Sequence, residues 1–363
     1  MPFDAASQAL PDATVTGLQW RPATTDDLDN WAALIARTAA VEQPAWYEKR
    51  GDLVHILEST KNPPQTSTLL GLDGSGVARA YGRISKNPQG DKATGMACVD
   101  PEWQQRGIGS AVLVWQEEQV RRRFQSDEAA GHTTAPPRLR IQTEEQHEHQ
   151  ATLLRGHGYG AVRWFNEMHR PLTTELPDAP LAAGLQLRTL EPSLFEPVRH
   201  AHNDAFRDHW GSEPRDEESW RFTIEEPTAR HDLSAVVIDD ATGDIAAYQL
   251  TSFDPDSAAD RGFKEGYTEL LGVRRAYRGR GIAQALLADA MRRYIAAGMD
   301  VASLDVDSAN PTGALELYLG MGYTPVNRST TWEKMLQDSR PSRPRRAGGG
   351  QHRAGSTGRT SAR

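Results

Sequence analysis

The sequence predicts an α+β fold built from two small domains in tandem. A glycine-bearing loop that enters an amphipathic helix occurs twice. The order of strand and helix signals around it repeats at a near-constant offset. The length, 363 residues, suits two domains of ordinary size.

The first loop is Val99-Asp-Pro-Glu-Trp-Gln104-Gln-Arg106-Gly107-Ile-Gly109-Ser110. The second is Val273-Arg-Arg-Ala-Tyr-Arg278-Gly279-Arg280-Gly281-Ile282-Ala283-Gln284. Both read as a strand end, a short spacer, then [Gln/Arg]-x-x-Gly-x-[Gly/Ala] opening a helix. The two valines lie 174 positions apart, from 99 to 273.

Residues 1–17 are rich in Ala, Ser and Pro and are expected to be loose. Leu18–Pro22 reads as an opening strand. Leu28, Trp31, Leu34 and Ile35 recur at helical spacing behind a cap near Thr25. A second helix is expected over about Trp46–Glu58, with strands at Thr68–Leu72, Val77–Ser85 and Lys92–Val99. The loop then opens a helix over Gly107–Phe124. A strand at Arg138–Gln142, a helix at about Glu148–Arg155 and a strand at Tyr159–Arg170 complete a domain over 18–172. The Pro- and Ala-rich stretch 173–183 reads as a linker.

The second domain, 184–337, repeats the order. Leu185–Thr189 is a strand, and Leu194–Phe206 and Glu217–Glu225 are helices. Strands follow at Ser234–Ile238, Ile245–Phe253 and Tyr267–Val273. The loop opens a helix over Gly281–Ala297. Val301–Val306, Thr312–Leu319 and Tyr323–Met335 close as strand, helix and strand. Paired landmarks hold their offset: Tyr81 and Tyr248 differ by 167, Tyr159 and Tyr323 by 164. Each domain is expected to hold a mixed, mostly antiparallel sheet flanked by helices.

The formal net charge is −8. From Ser339 onward there are seven arginines and neither acid nor lysine, so the preceding body carries about −15. Such a body argues against nucleic acid as a main partner. The tail 338–363 offers almost nothing to bury and is expected to be disordered. Cys98 is the sole cysteine, which excludes an intramolecular disulfide and fits a reducing cytoplasm. No signal peptide pattern opens the chain, and no apolar run approaches the roughly 18 residues of a membrane span.

A loop entering a helix presents backbone N–H groups without helical partners, at the positive end of the helix dipole. That arrangement suits a pyrophosphate. Glycine at 107, 109 and 281, and alanine at 283, leave the backbone approachable. Arg106, Arg278 and Arg280 add positive charge. The third glycine of a dinucleotide fingerprint is missing from both loops, and no Gly-Lys-Ser/Thr follows as in a P-loop.

These residues resemble the GNAT N-acetyltransferase superfamily over nearly all of 18–337, as two copies. A second signature supports the likeness in the second copy: Asn310-Pro-Thr-Gly-Ala-Leu-Glu-Leu-Tyr318-Leu-Gly-Met-Gly-Tyr323. As a two-copy chain it is similar to the mycothiol synthase-like branch of actinobacterial type. The resemblance implies acetyl transfer from acetyl-CoA to an amine, with no metal. It places the CoA pyrophosphate on the backbone of Arg278, Gly279, Arg280, Gly281, Ile282, Ala283 and Gln284. Pantetheine would run along Leu271 and Val273, with Asn310 nearby. In the first copy the matching CoA positions are Val99, Gln104, Arg106, Gly107, Gly109 and Ser110.

Attack of an amine on a thioester needs a base for the amine proton and a donor for the departing thiolate. The resemblance makes Tyr318 the donor; its counterpart in the first copy is Leu154, which cannot donate. Glu269, four before Val273, is the candidate base; strand alternation would place both on one face. The first copy has Gly95 there. Glu265 and Tyr267 are fallbacks on the same face. The mycothiol synthase-like branch carries its glutamate two positions earlier, where this chain has Tyr267. For the acceptor, the resemblance points to Asn203, Asp204, Phe206, Asp208, His209 and Trp210, with the acids binding an ammonium and the rings walling the pocket. His202, His209 and Asp208 also have the donor types of a zinc site. The reading is therefore a cytoplasmic N-acetyltransferase acting on a small amine, with chemistry in the second domain and a structural or CoA-holding first domain. Its alternatives are a non-catalytic acyl-CoA-sensing or partner-binding tandem module, and two active domains. Leu154 and Gly95 argue against the latter.

Overall fold

A computed structural model describes residues 10–173, 175–309 and 313–336. The first half runs α1 (Ala13–Thr16), β1 (Gln19–Arg21), α2 (Leu28–Glu42), α3 (Arg50–Glu58), α4 (Pro64–Ser67), β2 (Thr68–Leu72), β3 (Ala78–Ser85), β4 (Ala93–Val99), α5 (Ile108–Ala129), β5 (Arg138–Glu144), α6 (Glu148–Gly156) and β6 (Gly160–Pro171). The second runs β7 (Leu185–Thr189), α7 (Phe195–Ala205), α8 (Glu217–Ile224), β8 (Ala235–Asp239), β9 (Ile245–Ser252), α9 (Pro255–Arg261), β10 (Glu265–Val273), α10 (Ile282–Ala296), β11 (Val301–Asp307), α11 (Ala314–Gly320) and β12 (Thr324–Met335).

Local chemistry sets most of these boundaries. The side chain of Asp27 accepts from the Thr24 N–H at 2.8 Å and closes a capping box ahead of α2. Trp31, Leu34 and Ile35 bury the predicted stripe of that helix. The next helix starts at Arg50 rather than near Trp46. There Asp52 caps the Lys49 N–H at 2.7 Å, while the Ala45 N–H is held by Glu144 at 2.7 Å. The segment 1–17 contains a helical turn, α1, capped by Asp12. Residues 1–9 and the tail from 337 lie outside the described residues. Helices α4 and α9 are too short to leave a periodic signal.

The two sheets join into one of twelve strands, in the order β1-β2-β3-β4-β5-β12-β6-β11-β10-β9-β8-β7. All neighbours are antiparallel except β4/β5 and β10/β11. The halves exchange their last strands: β12 pairs with β5 of the first half, and β6 with β11 of the second. The core follows the exchange. Trp332 and Leu336 pack among Leu113, Phe124 and Leu139, whereas Met168 and Leu172 pack among Met291, Tyr294 and Leu304. Neither half completes its own hydrophobic layer without the other.

Helices α5, α6, α10 and α11 cover one face. Helices α2, α3, α7 and α8 cover the other, and α3 meets α8 over the centre of the sheet. His55 stacks on Phe222 with centroids 4.8 Å apart, and Gly51 packs so closely on Pro227 that a Cβ would lie 2.9 Å from it. Among the described residues, no helix is long and apolar enough to cross a membrane.

Candidate active site

The second loop leaves β10 through a 3-10 turn, Arg275–Tyr277, and enters α10. Gly279 has φ +75 and Gly281 φ +73, and both Cβ positions face open space. Left-handed backbone favours glycine here, and the open space is where a ligand approaches. Among the described residues no acceptor meets the N–H groups of Gly279 through Gln284. Arg278 is held by the carbonyls of Val273 and Ala205, and Arg280 lies over the Tyr277 ring.

The strand before the loop opens a fork. β10 pairs with β11 only over Glu265–Tyr267 against Val301–Ser303. From Thr268 onward its β11 side is unpaired, while Leu271 and Val273 still pair with Gln249 and Ala247 of β9. A free strand edge beside an anion-binding helix terminus can hold a chain that carries amide groups.

The register of β10 on β9 shifts between Thr268 and Leu270, so Glu269 is the inserted residue of a bulge. This corrects the alternation argument. Val273 packs against Leu286 on the α10 face, whereas Glu269 accepts from Ser252 Oγ at 2.7 Å on the α7 face. Tyr267 and Glu265 precede the bulge and share the side of Glu269. The Glu269 side chain is exposed to solvent on β10, with protein packed around its carboxylate. Burial raises its pKa, while Ser252 and Arg215 oppose the rise. The charge of Asp52, on α3 of the first half, raises it further.

Tyr318 lies on α11, half-buried, edge-on to Tyr323 with centroids 5.9 Å apart. Its hydroxyl meets no hydrogen-bond partner among the described residues. Burial pushes its pKa up to about 12, so it carries its proton at neutral pH. Asn310 lies outside the described residues.

The predicted acceptor segment is divided. Asn203 pins the chain through the amide and carbonyl of Arg215. Asp204 pairs with Arg207 and Arg274, and Asp208 with Arg275, so both acids already hold arginines of or beside the loop. Phe206 stacks on His202, and His209 packs on Phe206. Trp210 reaches across to the first half's strands, 4.1 Å from Arg140 and 5.0 Å from Arg163. His202, His209 and Asp208 do not converge as ligands. Glu167, His169 and Glu265 do converge, but the Arg261 guanidinium sits among them, at 2.8 Å from Glu167 and 2.9 Å from Glu265.

His202 is buried against Tyr248, Nδ1 to hydroxyl 2.6 Å, and burial drives its pKa down to about 3. The unfolded chain takes this proton near the ordinary histidine value, so stability is lost as pH falls below about 6.5. Unfolding measured between about pH 7 and about pH 4 should lose on the order of 3 kcal/mol to this group. In His202→Gln that slope should flatten; an unchanged slope would place the acid sensitivity elsewhere.

The first half differs at each point. Its loop has Gly107 at φ +77, but Gln105 takes the left-handed place of Gly279, at φ +60. Arg106 lies over Trp103, Gln104 reaches Glu42, and Ser110 contacts His157. A Cβ on Gly109 would meet Leu153 at 3.3 Å. β4 leaves β5 after Gly95, with Val99 still paired to Ala80, and shows no bulge. Gln116 donates to the carbonyls of Arg83 and Met96, both at 2.9 Å, beside that opening. Leu154 is buried in the core.

Sequence reasoning missed Ser252, Arg215 and Asp305. Asp305 was legible as an acid within an apolar strand; the other two carried no local signal.

The acetyltransferase (GNAT) family pattern matches residues 195–323. A mycothiol acetyltransferase of Thermobispora bispora is 30% identical over 270 residues, covering 72% of this chain and 81% of that protein. The chain belongs to the GNAT acetyltransferase family. It is an N-acetyltransferase. A second mycothiol acetyltransferase, of Salinispora tropica, is 27% identical, covering 74% of this chain and 82% of that one. Among solved structures, a GCN5-related N-acetyltransferase of Sphaerobacter thermophilus superposes with a TM-score of 0.66 at 22% identity, covering 91% of this chain and 98% of that one. A tandem GNAT protein from the clavulanic acid pathway gives 0.65 at 17% identity, covering 89% and 100%. These two likenesses show that the tandem GNAT architecture extends over both halves.

Proposed function

We propose that the second half transfers the acetyl group of acetyl-CoA to a primary amine of a small molecule by direct attack. The two repeats, 18–172 and 184–337, act as one body through their exchanged strands, and the first half is structural. The CoA pyrophosphate rests on the N–H groups of Gly279 through Gln284, and pantetheine follows the open edge of Leu271 and Val273. Glu269 takes a proton from the amine, directly or through water. The amine nitrogen forms its bond to the thioester carbon, the carbon–sulfur bond breaks, and Tyr318 protonates the departing sulfur. A cytoplasmic setting fits the single cysteine and the acidic body.

One observation carries this reading. An open fork, an acid on a bulge beside it and a tyrosine whose hydroxyl has no partner among the described residues occur together in the second half. The first half has Gln116 beside its opening and leucine in place of the tyrosine.

Thiol release from acetyl-CoA over a panel of amines, a mycothiol-related amine included, tests it. Tyr318→Phe should lower turnover by at least about tenfold, the lower end of general-acid effects. Equal turnover in the variant would remove Tyr318 from the mechanism. Binding of acetyl-CoA without thiol release on any amine would favour a sensing module.

A further inference from the structure

The fork between β10 and β11 opens beyond Tyr267 and Ser303. Each arm carries a carboxylate two residues further on, Glu269 on β10 and Asp305 on β11. Both are exposed to solvent, and both face the side of the sheet away from α10. Glu269 does so through Ser252, and Asp305 because Leu304 and Val306 on either side of it enter the opposite core.

Other acids near them are already engaged. Arg261 holds Glu167 and Glu265, and Glu144 accepts from Ala45 and Asn327. Among the described residues no ion pair reaches Glu269 or Asp305; their donors are the hydroxyls of Ser252 and Tyr267. Arg215 acts on Glu269 only from a distance and is held by Thr223 at 2.6 Å. Two like charges flanking one opening repel each other, and a cation between them relieves both. In keeping with this, burial and then the charges of Glu167 and Glu269 push Asp305 up to about 7.

A second observation is independent of charge. Ser303 sits at the root of the fork, in register with Tyr267 and His169, fully buried on the same side of β11 as Asp305. Among the described residues its hydroxyl has no hydrogen-bond partner. Buried polar atoms are rarely left unmet. The first half offers no counterpart: two residues past its fork at Gly95 and Ile141 stand Ala97 and Thr143.

We propose that Asp305 selects an acceptor with a second positive charge, a small diamine or polyamine. Its distal ammonium rests on Asp305 while its reacting amine faces Glu269. An ammonium has three donors, and Ser303 Oγ is an acceptor left over for one of them. This inference rests on acetyl transfer occurring in the second half.

The test compares, on the full-length protein, three four-carbon amines: a diamine, the amino alcohol and the alkylamine. Thiol release gives kcat/KM for each. The diamine should exceed the amino alcohol by at least about tenfold, equivalent to about 1.4 kcal/mol. Asp305→Asn should bring that ratio to within about twofold. Raising ionic strength should shrink the diamine preference in the unaltered protein, a measure that stands even if the variant does not fold. Turnover of all three amines without preference for the diamine overturns charge selection alone. So does an Asp305→Asn variant that slows all three alike with the ratio intact. Thiol release with none of them overturns the transfer reading, and this inference with it.

Discussion

Gly281→Glu is expected to raise KM for acetyl-CoA by at least about a hundredfold, equivalent to about 2.7 kcal/mol. Two costs add at this position. The residue holds φ +73 at the head of α10, a backbone that costs an L-residue roughly 1–2 kcal/mol. Its Cβ direction is open, so the added carboxylate projects into the space where the pyrophosphate approaches. There it opposes the ligand's charge and offers its own oxygens to the free N–H groups. Gly281→Ala separates the two costs, because it keeps the strain and adds no charge. It should raise KM far less than the glutamate does. The same glutamate at Gly107 should have an effect smaller by at least about tenfold, since the first half is assigned no chemistry. Equal effects at Gly107 and Gly281 would show that both loops serve the reaction. Equilibrium binding of acetyl-CoA measured beside the kinetics distinguishes lost affinity from lost chemistry.

The fold was legible where local chemistry and burial agree. The stripe of Trp31, Leu34 and Ile35 became the buried face of α2, and Leu185–Thr189 became β7 as read. The paired loops gave the repeat, because glycine at 107 and 281 is demanded by backbone geometry rather than by a partner elsewhere. The exchange of β6 and β12 was not legible. A strand's alternation says which face is apolar but not which neighbour it pairs with, and β6 and β12 present similar patterns to either half.

The site was legible in part for the same reason. Position along a strand pointed to Glu269, but the bulge that aims it came from the pairing of Thr268 and Leu270 with β9, a long-range property. Asp204 and Asp208 looked available because sequence does not show that Arg274 and Arg275 fold back onto them. Trp210 looked like a pocket wall of its own half, yet it stacks on Arg140 and Arg163 of the other. Each miss concerns residues brought together across the exchanged sheet or the loop.

Glu269→Gln is expected to lower kcat by at least about a hundredfold, within the range for a general base. The amide keeps the shape and can still meet Ser252, so the loss reports the missing proton acceptor rather than a cavity. The pH profile supplies a second readout. Burial raises the Glu269 pKa, so the acid limb of kcat/KM should lie above the ordinary glutamate range. The base works only when deprotonated, so activity falls as pH drops through that limb. The Ser252 hydroxyl, 2.7 Å from Oε1, stabilises the charged form and holds the pKa below where burial alone would set it. Ser252→Ala should therefore shift the limb to higher pH with a modest loss at the plateau, and Glu269→Gln should abolish the limb. If Glu269→Gln lost activity but kept the same limb, the titrating base would be another group. Asp305 would then be the next to test, since it faces the same opening and is pushed up to about 7.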